Sequence, residues 1–163
     1  KLSIRDLEQY KGIGSAKAIT ILAACELGKR RQKATVEEAP ILNSAESIYQ
    51  FMHTAIQDLD IEEGWILMMK QNFRLIEAKR ISVGGLTMAP VDLRLMMKEV
   101  LLKNTTVLAF CHNHPSGSTN PSREDDMLTS HIHKACELLH IHFADHVILT
   151  DGGYFSYREE GKL

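Results

Sequence analysis

Val107-Leu-Ala-Phe-Cys111 is an unbroken apolar run that opens directly into a polar stretch, His112 to Pro121, rich in Pro, Ser, Gly and Asn. A run this short, starting near Thr105 and stopped by turn residues, reads as a buried strand. A buried strand needs partners in a sheet and helices to cover it, and the flanking sequence offers both. Ile48, Phe51, Met52, Ala55 and Ile56 recur at helical spacing between Ser44 and Leu59. Asp92–Lys103 and Ser122–His140 read as two more helices. Trp65–Met69 and Arg74–Val83 read as strands joined at Gln71-Asn72. His146–Thr150 and Tyr154–Tyr157 form a hairpin through Asp151-Gly152-Gly153. The expected fold class is α/β, with a mixed central sheet flanked by helices.

Charge divides the chain. Residues 1–33 carry a net +5 and the remainder −7, for −2 over 163 residues. The basic piece reads as a small helical hairpin. Ser3 caps a helix to about Tyr10, Gly12-Ile13-Gly14 turns, and Ser15 starts a helix with Ile19, Leu22 and Ala23 at helical spacing, ending near Gly28 and the basic run Lys29-Arg30-Arg31. Residues 34–43, with Pro40 and no periodicity, read as a linker, and 44–163 as the main domain. The main domain is long enough for one good core. No apolar run approaches the roughly 20 residues that cross a bilayer. Cys25, Cys111 and Cys136 are widely spread, lack a Cys-x-x-Cys pair and fit a reducing compartment. With no signal segment at the N-terminus, the expected location is the cytoplasm, without membrane contact.

Seven of the eight histidines fall between positions 112 and 146, and His-x-His occurs three times. Residues two apart on an extended segment point the same way, so both rings can reach one metal. Two apart on a helix, they diverge by about 200°. His131 and His133 sit mid-helix and fail this test. His140 and His142 span a helix end. His112 and His114 leave an apolar strand, where sites on α/β sheets are built. A downstream carboxylate from Glu124, Asp125 or Asp126 can add a third ligand, and three ligands with one open position is the catalytic zinc pattern. Ser122 and Asp125 also make an ordinary capping box.

The whole string, His112-x-His114-Pro-Ser-Gly then Pro121-Ser122-x-x-Asp125, resembles the JAMM (MPN-type) metalloprotease signature. Its flanks are similar to those of the RadC family: Asp58-Leu59-Asp60 followed by Glu62, the late Asp145-His146-Val-Ile with Asp151-Gly152, and the early Lys11-Gly-Ile-Gly-Ser-Ala-Lys-Ala. The resemblance covers essentially the whole chain, except the start of a partial helix-hairpin-helix unit. It implies a JAMM/MPN-like domain with cytidine-deaminase-like layering. It implies that His112, His114 and Asp125 bind Zn²⁺, that Glu62 is general base on the activated water, and that Ser122 helps stabilise the oxyanion. From the residues alone, Glu63 rivals Glu62 and Asp126 rivals Asp125. The implied function is zinc-dependent hydrolysis of a peptide or isopeptide substrate.

Other features have readings of both kinds. His133, Glu137 and His140 share a helix face that is either a second metal site or a solvated surface. Asp145-His146 either supports the metal ligands from behind, with the carboxylate orienting a ring, or makes a strand-edge hydrogen bond. Cys111 reads as a core residue. Gly12 and Gly14, with Lys11 and Lys17, resemble a hairpin that meets DNA phosphates, weakly and without sequence preference. The alternative function is therefore a DNA-binding repair or replication-associated protein whose metal site is structural or vestigial. A zinc deaminase is disfavoured because His-x-Glu with Pro-Cys-x-x-Cys is missing.

Overall fold

The computed structural model describes residues 3–33, 39–57, 59–84 and 91–163. The chain divides into two compact units, Lys1–Glu38 and Ala39–Leu163.

In the first unit, Ser3 closes a capping box with Asp6 and starts α1, Ile4–Glu8. Gly12 turns the chain with φ +90°, a left-handed conformation that suits glycine. The second helix, α2, is Ser15–Lys33 and runs through Gly28 and the basic run to its end. A single glycine costs a helix about 1 kcal/mol and does not by itself end one. Leu7 and Ala18 are buried, whereas Ile19 and Ala23 are exposed. The Lys17 ammonium donates to the Gly12 carbonyl at 2.9 Å, so this lysine is folded back on the turn. Of the expected linker, 34–38 lie outside the described residues. Ile41 bridges Arg74 and Leu42 is buried in the main core, so the end of that stretch belongs to the second unit.

The second unit contains α3 (Ala45–Ile56), β1 (Glu63–Met69), β2 (Leu75–Val83), α4 (Leu93–Leu102), β3 (Val107–Asn113), α5 (Arg123–Leu138), β4 (His142–Thr150) and β5 (Gly153–Ser156). Each helix starts at a side-chain cap: Ser44 with Ser47, Asp92 with Arg94, and Ser122 with Asp125. The strands form one mixed sheet in the order β2-β1-β3-β4-β5. Among the described residues only β3 and β4 pair in parallel, and α5 connects them. All seven residues of β3 are buried.

Alternation along the central strands builds two cores. Leu67, Met69, Ala109, Cys111, Val147 and Leu149 pack with Ile48, Met52 and Ile56 of α3. Ile66, Met68, Leu108 and Phe110 pack with Met96 and Val100 of α4 and with Ile132 and Cys136 of α5. Full burial of side chains of this size contributes roughly 1.5–3 kcal/mol each, before the entropy cost of ordering them. Cys111 is thus a core thiol, and burial pushes its pKa up. Cys25 is free and exposed. Among the described residues no helix is long and apolar enough to cross a membrane.

Of the strands that exceed their expected bounds, two do so for one physical reason. β3 runs on through His112 and Asn113, and β4 begins at His142 rather than His146. The added residues include Asn113 and Asp145, polar groups that break an apolar pattern, yet both are buried with hydrogen-bond partners.

Candidate metal centre

The end of β3 directs its side chains by parity. His112 shares a face with Phe110 and Leu108, towards α5, while Asn113 shares the α3 face with Cys111. The His114 N–H donates to the Leu149 carbonyl at 2.9 Å, which carries the β3–β4 pairing one residue further. His114 therefore follows His112 onto the α5 face. Directly opposite His112, Gly64 leaves room: a Cβ there would meet the Ser82 hydroxyl and come within 3.2 Å of the Phe110 ring. Gly64→Ala is expected to destabilise the domain by about 1–3 kcal/mol, read as a lower urea midpoint at constant slope. An unchanged midpoint would mean that the space is not constrained.

The start of α5 brings Asp125 to the two rings. Its Oδ2 accepts from the Ser122 N–H at 2.8 Å and the Ser122 hydroxyl at 2.7 Å, and the Ser122 oxygen accepts from the Asp125 N–H at 3.1 Å. The capping box thus fixes the carboxylate as well as the helix. His112 Nε2 lies 3.2 Å from Asp125 Oδ1, and His114 Nε2 lies 3.7 Å from Oδ2. The two Nε2 atoms face each other at 3.0 Å. Zinc in tetrahedral coordination, with bonds of about 2.0–2.1 Å, spaces its ligand atoms by about 3.3 Å. Two imidazoles and one carboxylate converging at these separations fit a divalent transition metal. Among the described residues this is the one group of three such donors close enough to share an ion.

Electrostatics agree with the geometry. The His114 Nδ1–H donates to the Ser118 carbonyl at 2.7 Å, which leaves Nε2 as the lone-pair nitrogen. The Asp125 carboxylate raises the His114 pKa. Burial pushes the Asp125 carboxyl up, but the two imidazole rings beside it and the Ser122 hydroxyl outweigh it and hold the group well below the usual carboxylate range. The site holds one carboxylate against two basic nitrogens.

The rival residues separate by face. Glu63 is buried on the α3 side, with Arg80 Nη1 at 2.5 Å from Oε1 and the Trp65 indole N–H donating to Oε2 at 3.1 Å. Glu62 precedes it by one residue and takes the histidine face, shared with Gly64. The Gly84 N–H donates to the Glu62 carbonyl at 2.8 Å, so extended pairing reaches this residue. The Asn113 amide holds both neighbours: its Nδ2 donates to the Ile61 carbonyl at 2.9 Å and its Oδ1 accepts from the Glu63 N–H at 2.7 Å. The half-buried Glu62 carboxylate acts electrostatically on His114, raising its pKa. Asp126 turns away and accepts from the Tyr157 hydroxyl at 2.8 Å. Asp58, part of the motif before Glu62, lies outside the described residues.

His131, His133, His140 and His142 are all exposed and stand outside the donor group. Of the pair Asp145-His146, only His146 stands behind a candidate ligand, and the Asp145 carboxylate orients no ring. It projects to the opposite face, where it accepts from the Ser156 hydroxyl at 2.6 Å and the Arg158 N–H at 3.1 Å. The His146 ring lies between His112 Nδ1, at 2.9 Å from its Nε2, and Thr129 Oγ1, at 2.6 Å from its Nδ1. Sequence reasoning missed Thr129 and Asn113. Thr129 stands four residues after Asp125, one helical turn along the same face, and that spacing is the one signal available. A cavity of about 540 Å³ opens beside His114, lined also by Gln57, Asp60, Asn113 and Asp151.

Residues 42–162 match the family model described as the RadC-like JAB domain. The chain belongs to that family. A protein of Flavobacterium johnsoniae named UPF0758 protein is 38% identical over 99% of this chain and 70% of its own length. A protein of the same name from Porphyromonas gingivalis is 34% identical over the whole chain and 73% of its own length. One from Rubrobacter xylanophilus is 37% identical over 99% of the chain and 70% of its own. The JAB domain accounts for the mixed five-stranded sheet with helices on its faces, and the His112–His114–Asp125 group lies within the matched residues.

Proposed function

We propose that this JAB domain is a zinc-dependent hydrolase of peptide or isopeptide bonds. The observation that carries the reading is the convergence of His112 Nε2, His114 Nε2 and an Asp125 oxygen, with Glu62 on the same face of the sheet. His112, His114 and Asp125 would hold the ion. Bound zinc supplies an acidified water and polarises a carbonyl oxygen. Glu62 accepts a proton from the attacking water and returns it to the leaving nitrogen as the C–N bond breaks. The Ser122 hydroxyl proton is engaged with Asp125 Oδ2, so Ser122 holds a ligand in place. To stabilise an oxyanion as well, it must turn that proton towards the substrate.

The test is cleavage of a panel of peptides and isopeptide-linked conjugates by zinc-loaded protein. Cleavage is expected to cease with chelator and return with zinc. Cleavage that persists in chelator would overturn the reading.

A DNA-binding role rests on other residues, the +5 charge of residues 1–33 and the Gly12 turn with Lys11, Lys17 and Gly14. Duplex binding that falls steeply with salt and vanishes on removal of residues 1–38 would support it.

A further inference from the structure

We propose that Thr129 and His146 are positioning residues that set the tautomer of His112 and so turn its Nε2 lone pair towards the metal. The proposal rests on the reading of His112 as a ligand. It follows from the direction of a hydrogen-bond chain that starts beside the Asp125 carboxylate and ends at the Asp125 backbone carbonyl.

The Thr129 hydroxyl has one proton, and the chain gives it to the Asp125 carbonyl at 2.7 Å, a group that can only accept. The contact of 2.6 Å between Thr129 Oγ1 and His146 Nδ1 must then run the other way, with the ring donating. His146 is fully buried, and both of its nitrogens face uncharged groups, a hydroxyl and an imidazole. A buried ring without a carboxylate partner is neutral and carries one N–H. That N–H is at Nδ1, so Nε2 is a lone pair. At 2.9 Å from it, His112 Nδ1 must donate. His112 is left with its lone pair on Nε2, the nitrogen 3.0 Å from His114 Nε2 and 3.2 Å from Asp125 Oδ1.

The packing keeps the relay in register. The His146 ring is parallel to Tyr157 within 5°, with centroids 4.7 Å apart, and Phe110 lies against it at 4.8 Å. The two ligand histidines are thus fixed by independent devices. His114 donates directly to a backbone carbonyl, and His112 does so through two intermediates. Asp125 serves the site twice, with its carboxylate as ligand and its carbonyl as the end of the relay.

Thr129→Val keeps the shape and removes the acceptor for His146 Nδ1–H. His146 is then expected to carry its proton on Nε2 and donate to His112, which moves the His112 proton to the metal-facing nitrogen. Loss of an outer partner of this kind weakens metal binding roughly 10–100-fold. The experiment measures zinc affinity by competition with a chelating dye for wild type, Thr129→Val and Thr129→Ser. Long-range proton–nitrogen spectra of the histidine rings are recorded on the metal-free wild-type protein beside it. The expected results are a drop of about 10–100-fold in Thr129→Val with an unchanged circular dichroism spectrum, wild-type affinity in Thr129→Ser, and a His112 ring protonated at Nδ1. Equal affinities in wild type and Thr129→Val would overturn the relay, as would a metal-free His112 protonated at Nε2. If Thr129→Val does not fold, the wild-type spectrum decides alone. Failure of the wild type to bind zinc would sink the metal reading, while the His112 spectrum would still judge the relay.

Discussion

His114→Ala is expected to empty the site of metal and leave the domain folded. The substitution removes one of three converging donors, and the remaining pair, His112 and Asp125, falls short of the three protein ligands that a catalytic zinc uses. The loss of affinity should exceed the roughly 10–100-fold that removal of an outer partner costs. The fold should tolerate the change. His114 is half-buried at the start of an exposed loop, and the partner it deserts, the Ser118 carbonyl, can bond to water instead. Elemental analysis beside circular dichroism reads both effects. His131→Ala is the control and should keep its zinc, because that ring is exposed on the middle of α5. Full zinc content in His114→Ala would move the centre to another histidine pair.

Glu62→Gln is expected to keep zinc and lose hydrolysis by about 10²–10⁴-fold, the usual contribution of a general base. The amide retains the size and most of the hydrogen bonding of the carboxylate and cannot take a proton. Glu63→Gln separates catalysis from structure. Its carboxylate is buried against Arg80 and Trp65 on the far face of the sheet, so the change should cost about 1–3 kcal/mol of stability. Hydrolysis by the folded fraction should persist. Rates on any substrate the wild type cleaves, with unfolding midpoints for both variants, test the pair. Loss of hydrolysis in Glu63→Gln with zinc and fold intact would reverse the assignment.

Much of this was legible along the chain because the site is local where it matters most. A strand ending in His112 and His114 has the period that aligns two rings, and Ser122-x-x-Asp125 opens the next helix within a short loop. The choice between Glu62 and Glu63 was not legible without the family resemblance. Strand parity says that they face opposite ways but not which way, and the answer lies in the register of β1 against β3 and the Asn113 amide on the far strand. The full length of β4 was hidden because Asp145 and His146 interrupt its apolar pattern, and their partners come from β5, β3 and α5. The persistence of α2 through Gly28 shows a weak local preference yielding to the surrounding helix formers.

The central claim is that His112, His114 and Asp125 together hold one zinc with a position left open for chemistry. X-ray absorption at the zinc edge of the zinc-loaded protein tests it most directly, since it counts the ligands by type. The expected result is one zinc per chain with two imidazole nitrogens at about 2.0–2.1 Å, oxygen in the remaining positions and no sulfur. A zinc carrying sulfur, or one or three or more imidazoles, would contradict it, as would a protein that takes up no zinc at all.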